Sequence, residues 1–145
     1  MLKFSKKTDY ALIAMADMTE YTDSENLITA KALADQHQIP QEILGKVLQT
    51  LVREGLLISV QGVRGGYALA LSAKTIKLKQ IIEAIEGPIS LISCYDKNHI
   101  PCGQIASCAI KTPIEYIQSE LAGFFDSISL QDLKANQSGY NFTNK

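Results

Sequence analysis

The order of apolar and polar positions predicts three helices in the first part of the chain. A mostly apolar run at residues 10–18, rich in Ala, Leu and Met, favours a helix buried on more than one side. Thr29 is a suitable N-cap for a short second helix with Leu33 turned inward. After the turn at residues 38–40, a broad apolar stripe over residues 41–53 predicts a third helix with a polar opposite face. Two helices joined in this way are typical of a helix-turn-helix.

A glycine-rich hairpin follows the third helix. Gly55 suits the position just past a helix end, and two β-prone runs at residues 56–60 and 67–71 flank a loop at residues 61–66. A helix-turn-helix followed by a hairpin predicts a winged helix. The loop glycines alone only turn the chain, whereas Arg64 at the tip suits a narrow DNA minor groove.

The second half predicts two more helices on either side of an irregular loop. One helix begins near Leu78 and is stopped by Gly87-Pro88. Beyond the loop, Pro113 opens a helix whose apolar residues recur at spacings of three and four. Such a seam is either core or partner surface. Since the N-terminal part is nearly complete without it, we expect a helix that pairs two copies of the chain. The seam residues are Ile114, Ile117, Leu121, Phe124 and Ile128.

The predicted fold is mainly α-helical with a small β-hairpin wing. A winged helix-turn-helix DNA-binding domain is expected at residues 1–72. Residues 73–133 then hold the linker helix, the cysteine loop and a long C-terminal dimerisation helix, with a recapped final turn near residue 129. A polar tail at residues 134–145 is expected to be disordered.

Composition limits the function classes without selecting one. Apolar residues make up 46% of the chain, but no apolar run reaches the roughly 18 residues of a membrane span. The N-terminus also lacks a signal-peptide pattern, so we expect a cytoplasmic protein with reduced thiols and no membrane partner. The net charge is −1, and seven Lys/Arg stand against eight Asp/Glu before Ser72. A DNA-binding role therefore depends on where the positive charges lie.

Those charges fall at three places that suit DNA. Lysines at the start of the first helix oppose its macrodipole, and a DNA phosphate would relieve that conflict; a solvated basic start is the alternative. The polar face of the third helix is expected to meet base edges. We expect sequence-independent affinity from Lys3, Lys6, Lys7 and Arg64, base reading by Gln41, Glu42, Lys46 and Gln49, and a phosphate contact by Arg53.

All three cysteines of the chain, Cys94, Cys102 and Cys108, lie in the turn-rich loop between the last two predicted long helices. Three thiolates in a short loop can bind zinc, bind an iron–sulfur cluster, or remain inert or redox-active thiols. Structural zinc sites usually contain CxxC pairs, which this chain lacks. Clusters take four ligands, mostly Cys. The spacing by itself leaves the three alternatives open.

Four segments carry a family resemblance: residues 5–12, residues 33–40, the wing at residues 55–70, and Glu86-Gly87-Pro88 before the cysteines. They resemble the winged-helix repressors that include the iron–sulfur regulators IscR and NsrR, and the opening is most similar to the subgroup that controls the SUF cluster-assembly system. The resemblance covers about residues 1–133. It implies a homodimeric repressor on a pseudo-palindromic double-stranded DNA operator, acting on genes of cluster assembly, iron, or redox and nitrosative stress.

The resemblance also implies an iron–sulfur cluster, 2Fe–2S or 4Fe–4S, held by the three cysteines and a fourth ligand. Lys111 stands where IscR-like proteins carry a ligating histidine, and the first gap between cysteines is wider than in IscR and NsrR. By resemblance to NsrR-like proteins, Asp9 of the partner chain is the first choice of fourth ligand. His99, inside the loop, is the competitor.

Two other functions stay open in the sequence. One is a winged-helix regulator without a cluster, which senses zinc or thiol oxidation. The other is an iron–sulfur electron carrier, which would need neither a polar recognition helix nor an arginine-tipped wing. An enzyme is not expected, because the only histidines are His37, within the DNA-reading part, and His99.

Overall fold

A computed structural model describes residues 2–95 and 102–136 of the chain. In that part the predicted helices and a two-stranded antiparallel hairpin follow one another in the expected order. No helix there has the length and apolar character needed to cross a membrane. The elements are α1 Lys6–Asp17, α2 Ala30–His37, α3 Gln41–Arg53, β1 Leu57–Val60, β2 Gly66–Leu69, α4 Leu78–Glu86, α5 Lys111–Ser127 and α6 Leu130–Ala135, with 3-10 turns at Met18–Glu20 and Ser93–Tyr95.

The helix-turn-helix consists of α2 and α3, and the predicted bounds of α3 are confirmed. The Thr29 hydroxyl accepts a hydrogen bond from the Ala32 amide at 3.0 Å, which caps α2 as predicted. Gln38 adopts the left-handed backbone conformation, with φ of 54°, and ends α2. Pro40 lies directly before α3, and its ring restricts the backbone to a conformation that suits the start of a helix.

The wing hairpin pairs Leu57 with Leu69, and β1 starts one residue later than predicted. The Leu56 amide donates to the Leu51 carbonyl at 3.0 Å, so Leu56 still belongs to the end of α3. The second strand ends at Leu69, short of the predicted Leu71. The residues between α3 and the first wing strand are therefore held by hydrogen bonds to the end of α3.

Close backbone approaches explain two of the wing glycines. Ile28, before α2, exchanges two backbone hydrogen bonds with Tyr67, at 3.0 Å and 2.8 Å, along the outer edge of β2. A Cβ added at Gly66 would come within 2.7 Å of the Ile28 carbonyl oxygen, and one added at Gly65 would collide with the Val60 carbonyl. These glycines therefore do more than turn the chain, because they let three backbone segments meet.

Helix α1 lies at the centre of the core, where it packs against α3, α4 and α6. Met15 of α1, Leu48 of α3, Ile81 of α4 and Leu130 of α6 are each fully buried in one cluster. Burial of each such side chain stabilises the fold by about 1.5–3 kcal/mol. The core thus takes residues from both sides of residue 72, and the domain boundary there stays a prediction.

The C-terminal helices differ from expectation at their ends. Helix α5 starts at Lys111, before the predicted Pro113. The prediction that Ile128 continues the seam of this helix was wrong. Ile128 lies just past the end of α5 and is buried with Leu78 and Ile82. The chain turns there because the Leu78 amide donates to the Ile128 carbonyl at 2.8 Å.

The recapped final turn is a full short helix, α6. The Ser129 hydroxyl accepts from the Asp132 amide at 3.1 Å, and the Asp132 carboxylate accepts from the Ser129 amide at 2.8 Å, which forms a capping box. Helix α6 includes Lys134 and Ala135, so the first residues assigned to a disordered tail are helical. The rest of that tail, residues 137–145, lies outside the described residues.

Candidate nucleic-acid interface and cysteine loop

Helix α3 turns its apolar stripe inward and its polar face to solvent. The inward residues Leu44, Val47, Leu48 and Leu51 are buried, which fixes the helix against the core. On the opposite face lies a shallow depression. The residues that line it are the four predicted base readers, all exposed, with one glycine: Gln41, Glu42, Gly45, Lys46 and Gln49.

Weak polar contacts hold the side chains of this face. Lys46 Nζ lies 3.3 Å from Glu42 Oε1, one helical turn away, and both side chains are mostly exposed. Such a pair stabilises a helix by about 0.3–0.5 kcal/mol, so DNA can separate it easily. Arg53 donates from Nη2 to the Thr50 hydroxyl at 3.3 Å. A lysine and an amide can then reach guanine and adenine edges, and a carboxylate can accept from cytosine.

The tip of the wing carries Arg64 and Val63, and both side chains are exposed. Arg64 is placed as the sequence predicts, on a slim loop beyond the hairpin. Val63, which the sequence reasoning missed, is fully exposed. Val63 is the one apolar side chain of the loop at residues 61–66, and this isolated position is the sequence feature that could have predicted its exposure.

The start of α1 is capped by Ser5, whose hydroxyl accepts from the Thr8 amide at 3.3 Å. Lys3, Lys6 and Lys7 are exposed around this end. The sequence predicted that a phosphate would supply the missing negative charge there. In the structure a carboxylate of the chain itself already lies at the helix start.

That carboxylate belongs to Glu86, the last residue of α4. Its Oε1 accepts from the Ser5 amide at 2.8 Å and from the Thr8 hydroxyl at 2.6 Å. Hydrogen bonds from the side chains of Ser5 and Thr8 and from the Ser5 amide lower the pKa of the Glu86 carboxyl. Sequence reasoning missed this contact because its partners lie far apart in the chain; the Ser5 cap and the Glu86-Gly87-Pro88 segment were the available signals.

The cysteine loop begins in the turn Ser93–Tyr95. Cys94 is exposed, Cys102 and Cys108 are half-buried, and all three are free thiols. The Cys102 thiol donates to Gln104 Oε1 at 3.2 Å. His99 lies outside the described residues. Within residues 2–95 and 102–136, no three His, Cys, Asp or Glu side chains are placed together to hold a metal ion.

Asp9, the predicted fourth ligand, lies in the first turn of α1. Its carboxylate is 3.4 Å from Lys6 Nζ, and its side chain is 41% exposed. Since that lysine is itself mostly exposed, the pair holds Asp9 only weakly and leaves its carboxylate available to another ligand or chain.

The segment before Cys94 is also fastened to α5, because the Leu91 amide donates to Gln118 Oε1 at 2.8 Å. Helix α5 contains no fully buried residue. Along its predicted seam the exposure varies: Ile114 and Leu121 are half-buried, whereas Ile117 and Phe124 are 50% and 52% exposed. Tyr116 of this helix and Ile110, directly before it, are also exposed.

Known proteins share both this sequence and this fold. The regulator NsrR of Oceanobacillus iheyensis is 31% identical over 139 residues, covering 94% of this chain and 92% of that protein. The structure of CymR, the global cysteine regulator of B. subtilis, matches with a TM-score of 0.72 and 27% identity over 93% of this chain and 98% of that one. IscR of T. potens matches with a TM-score of 0.71 and 25% identity over 99% and 97% of the two chains.

Residues 4–136 match the family model of Rrf2, described as an iron-dependent transcriptional regulator. This match confirms the resemblance to the IscR and NsrR regulators, and the shared fold confirms the predicted winged helix. It also confirms that the relatives are DNA-binding transcriptional regulators rather than enzymes. The chain belongs to the Rrf2 family of transcriptional regulators.

Proposed function

We propose that the chain is a homodimeric repressor whose operator affinity is set by an iron–sulfur cluster held at Cys94, Cys102 and Cys108. One observation carries this proposal: the stretch from the last residue of α4 to the cysteine loop is bonded both to the proposed DNA-contacting surface and to the proposed dimer helix. Glu86 bonds to the lysine-bearing start of α1, and Leu91 bonds to α5. A change in the cysteine loop therefore acts on the DNA contacts and on the dimer helix together.

The donor set suits a cluster, because thiolates are its usual ligands and one oxygen or nitrogen ligand is tolerated. Asp9 of a second copy is the proposed fourth ligand, since its own ion pair is weak. His99 is the competing ligand. A bound cluster would supply sensitivity to iron, oxidants or nitric oxide.

On DNA, α3 is proposed to enter the major groove with its exposed polar face, since the N-terminal residues of such helices contact base edges. Arg64 would lie at the neighbouring minor groove, and the lysines at the start of α1 would contact phosphate. Two copies would bind two half-sites about 34–36 Å apart, so the spacing of the two α3 helices controls affinity.

The second copy is proposed to dock on the exposed side of α5. Contiguous apolar surface of this kind marks protein interfaces more often than plain solvent surface. The partner's α5 supplies the same apolar residues under two-fold symmetry, which makes the surface self-complementary. The exposed residues are Ile110, Tyr116, Ile117 and Phe124.

A thiol sensor without a cluster is the second candidate. Cys94 is exposed and is a free thiol. The loop is bonded to α5 through Leu91, and the helix before it is bonded to the start of α1 through Glu86, so oxidation of an exposed thiol there can change DNA affinity.

The test is a preparation of the full-length chain without oxygen, followed by visible absorption and operator affinity. The operator is selected from random-sequence DNA, and affinity is measured with the cluster, after chelation, and after peroxide treatment of the chelated protein. We expect a cluster absorption band that Cys102→Ser abolishes, and an affinity that falls on chelation. A colourless protein whose affinity changes only with peroxide would favour the thiol sensor. Equal affinity in all three states would contradict both candidates.

A further inference from the structure

Helix α1 has an incomplete capping box of its own. In the usual arrangement the third helical residue is Glu or Gln, and its side chain accepts from the amide of the N-cap residue. Here Ser5 is the N-cap and Thr8 occupies that position, and the Thr8 hydroxyl bonds to Glu86. The missing acceptor comes from another helix, because Glu86 Oε1 takes the Ser5 amide.

The position of Glu86 is unfavourable for its own helix. It is the last residue of α4, where a negative charge opposes the helix macrodipole. At the start of α1 the same charge is favourable, and Lys3, Lys6 and Lys7 around that start are exposed. The packing of α4 comes from Leu78, Ile81 and Ile82, which are buried, so the core does not depend on the exposed Glu86 side chain.

We propose that Glu86 is a positioning residue for DNA binding, whose carboxylate completes the cap of α1 and so orients Lys3, Lys6 and Lys7 toward the phosphate backbone. This rests on the DNA-binding part of the proposed function. Gly87, with φ of 85°, and Pro88 follow directly and lead to the cysteines. Glu86 therefore also joins the start of α1 to the segment that enters the cysteine loop.

The experiment uses the full-length, reduced, metal-free chain and a random-sequence duplex, which isolates the phosphate contribution from base reading. Affinity is measured at several salt concentrations for Glu86→Ala, Glu86→Gln and Thr8→Val. Glu83→Ala is the matched control, because it removes the same charge from the same helix, and among the described residues its side chain makes no hydrogen bond or ion pair. Amide hydrogen exchange at Ser5 and in the first turn of α1 is measured without DNA.

We expect Glu86→Ala to weaken binding about ten-fold and to lower the log–log salt slope by about one contact, or roughly 0.9, per copy. Glu86→Gln keeps the accepting oxygen and should retain most of the affinity, while Glu83→Ala should not weaken binding. The Ser5 amide should exchange faster in Glu86→Ala and in Thr8→Val, with little change in the melting temperature.

Tighter binding by both Glu86 variants would overturn the proposal, since it would show that the carboxylate competes with phosphate. Equal effects of Glu86→Ala and Glu83→Ala would also overturn it, because general charge would then explain them. If the wild-type chain bound no duplex at any salt concentration, the proposed DNA-binding function itself would be contradicted. Unchanged hydrogen exchange at Ser5 in the Glu86→Ala variant would separately contradict the capping role of Glu86. If the wild type bound and all variants matched it, only the positioning role would be lost.

Discussion

The DNA-reading part, made of α1 to α3 and the wing, differs in side-chain burial from the region made of the cysteine loop and α5. Helices α1 to α3 bury a stripe each, and their residues meet in one core. Helix α5 has no fully buried residue, and the loop before it carries one exposed and two half-buried thiols. The core of the first part is completed by residues of α4 and α6, whereas α5 and the loop before it present apolar and thiol surfaces that a second copy or a ligand is proposed to cover.

The largest effect is expected from a substitution on the exposed side of α5. Ile117→Lys places a charge on each side of the proposed two-fold interface, where burial of an unpaired charge costs several kcal/mol. We expect a folded monomer at concentrations where the wild type is a dimer, as measured by sedimentation equilibrium. Asp126→Lys, at an exposed position on the opposite side of the same helix from Ile117, should leave the dimer intact. A dimeric Ile117→Lys would contradict the assignment of the interface.

The next effect concerns the folded core. Leu48→Ala removes a fully buried side chain and should lower the free energy of unfolding by about 2–5 kcal/mol. Ile117→Ala, on the half-exposed surface, should cost the monomer about 0.5 kcal/mol or less. Urea unfolding of both variants, repeated over a series of protein concentrations and compared at the dilute end where the chain is monomeric, checks the contrast. Equal losses would show that α5 contributes to the core as strongly as α3.

The two parts also differ in how far the sequence predicts them. The bounds of α3 follow from local signals, a periodic stripe and a preceding proline, and they are confirmed. Periodicity cannot tell whether an apolar residue packs on its own domain or on a partner, which is why Ile128 was placed in the wrong surface. Contacts between distant segments, such as Ile28 with Tyr67, leave no periodic trace.

The candidate site shows the same division. The exposed positions of Gln41, Lys46 and Gln49 follow from helical spacing, and the structure places them on one face. The contact of Thr8 with Glu86 joins residues 78 positions apart, so no local pattern predicts it. How the cysteines hold a ligand depends on the loop, part of which lies outside the described residues.

Replacement of Asp9, the proposed fourth ligand, tests whether the α1 helix of a second copy completes the proposed cluster site. Asp9→Ala should give a dimer whose cluster is lost at least about ten-fold faster, since even indirect supports of a metal ligand commonly contribute that much. Its operator affinity should fall with the cluster. His99→Ala should behave as the wild type. Absorbance decay under controlled oxygen, followed on both variants, decides between them: a stable Asp9 variant with a labile His99 variant would reverse the assignment.

Substitutions at the proposed base-reading residues of α3 are expected to have a moderate effect, which is confined to operator binding. Gln49→Ala should relax discrimination at one base pair by about 1–3 kcal/mol if the amide makes a bidentate contact. Lys46→Ala should also weaken operator binding, most at the base pair that Lys46 is proposed to contact. Binding to a set of single-base operator variants separates the two patterns. An unchanged preference in the Gln49 variant would remove that residue from the base-reading set.

The smallest expected effect lies where the two parts join, at Glu86. Its pKa is lowered in the folded chain from an ordinary value of 4.5 by hydrogen bonds from Ser5 and Thr8. The stabilisation from its charge is therefore fully present above pH 4.5 and is lost as the pH falls through the lower folded value. Glu86→Gln cannot ionise, so the wild type should be slightly more stable than this variant at neutral pH, and the difference should shrink below pH 4.5. Paired urea titrations across that range measure it; a difference that grew toward acid would mean that the carboxylate is not held as an anion by the start of α1.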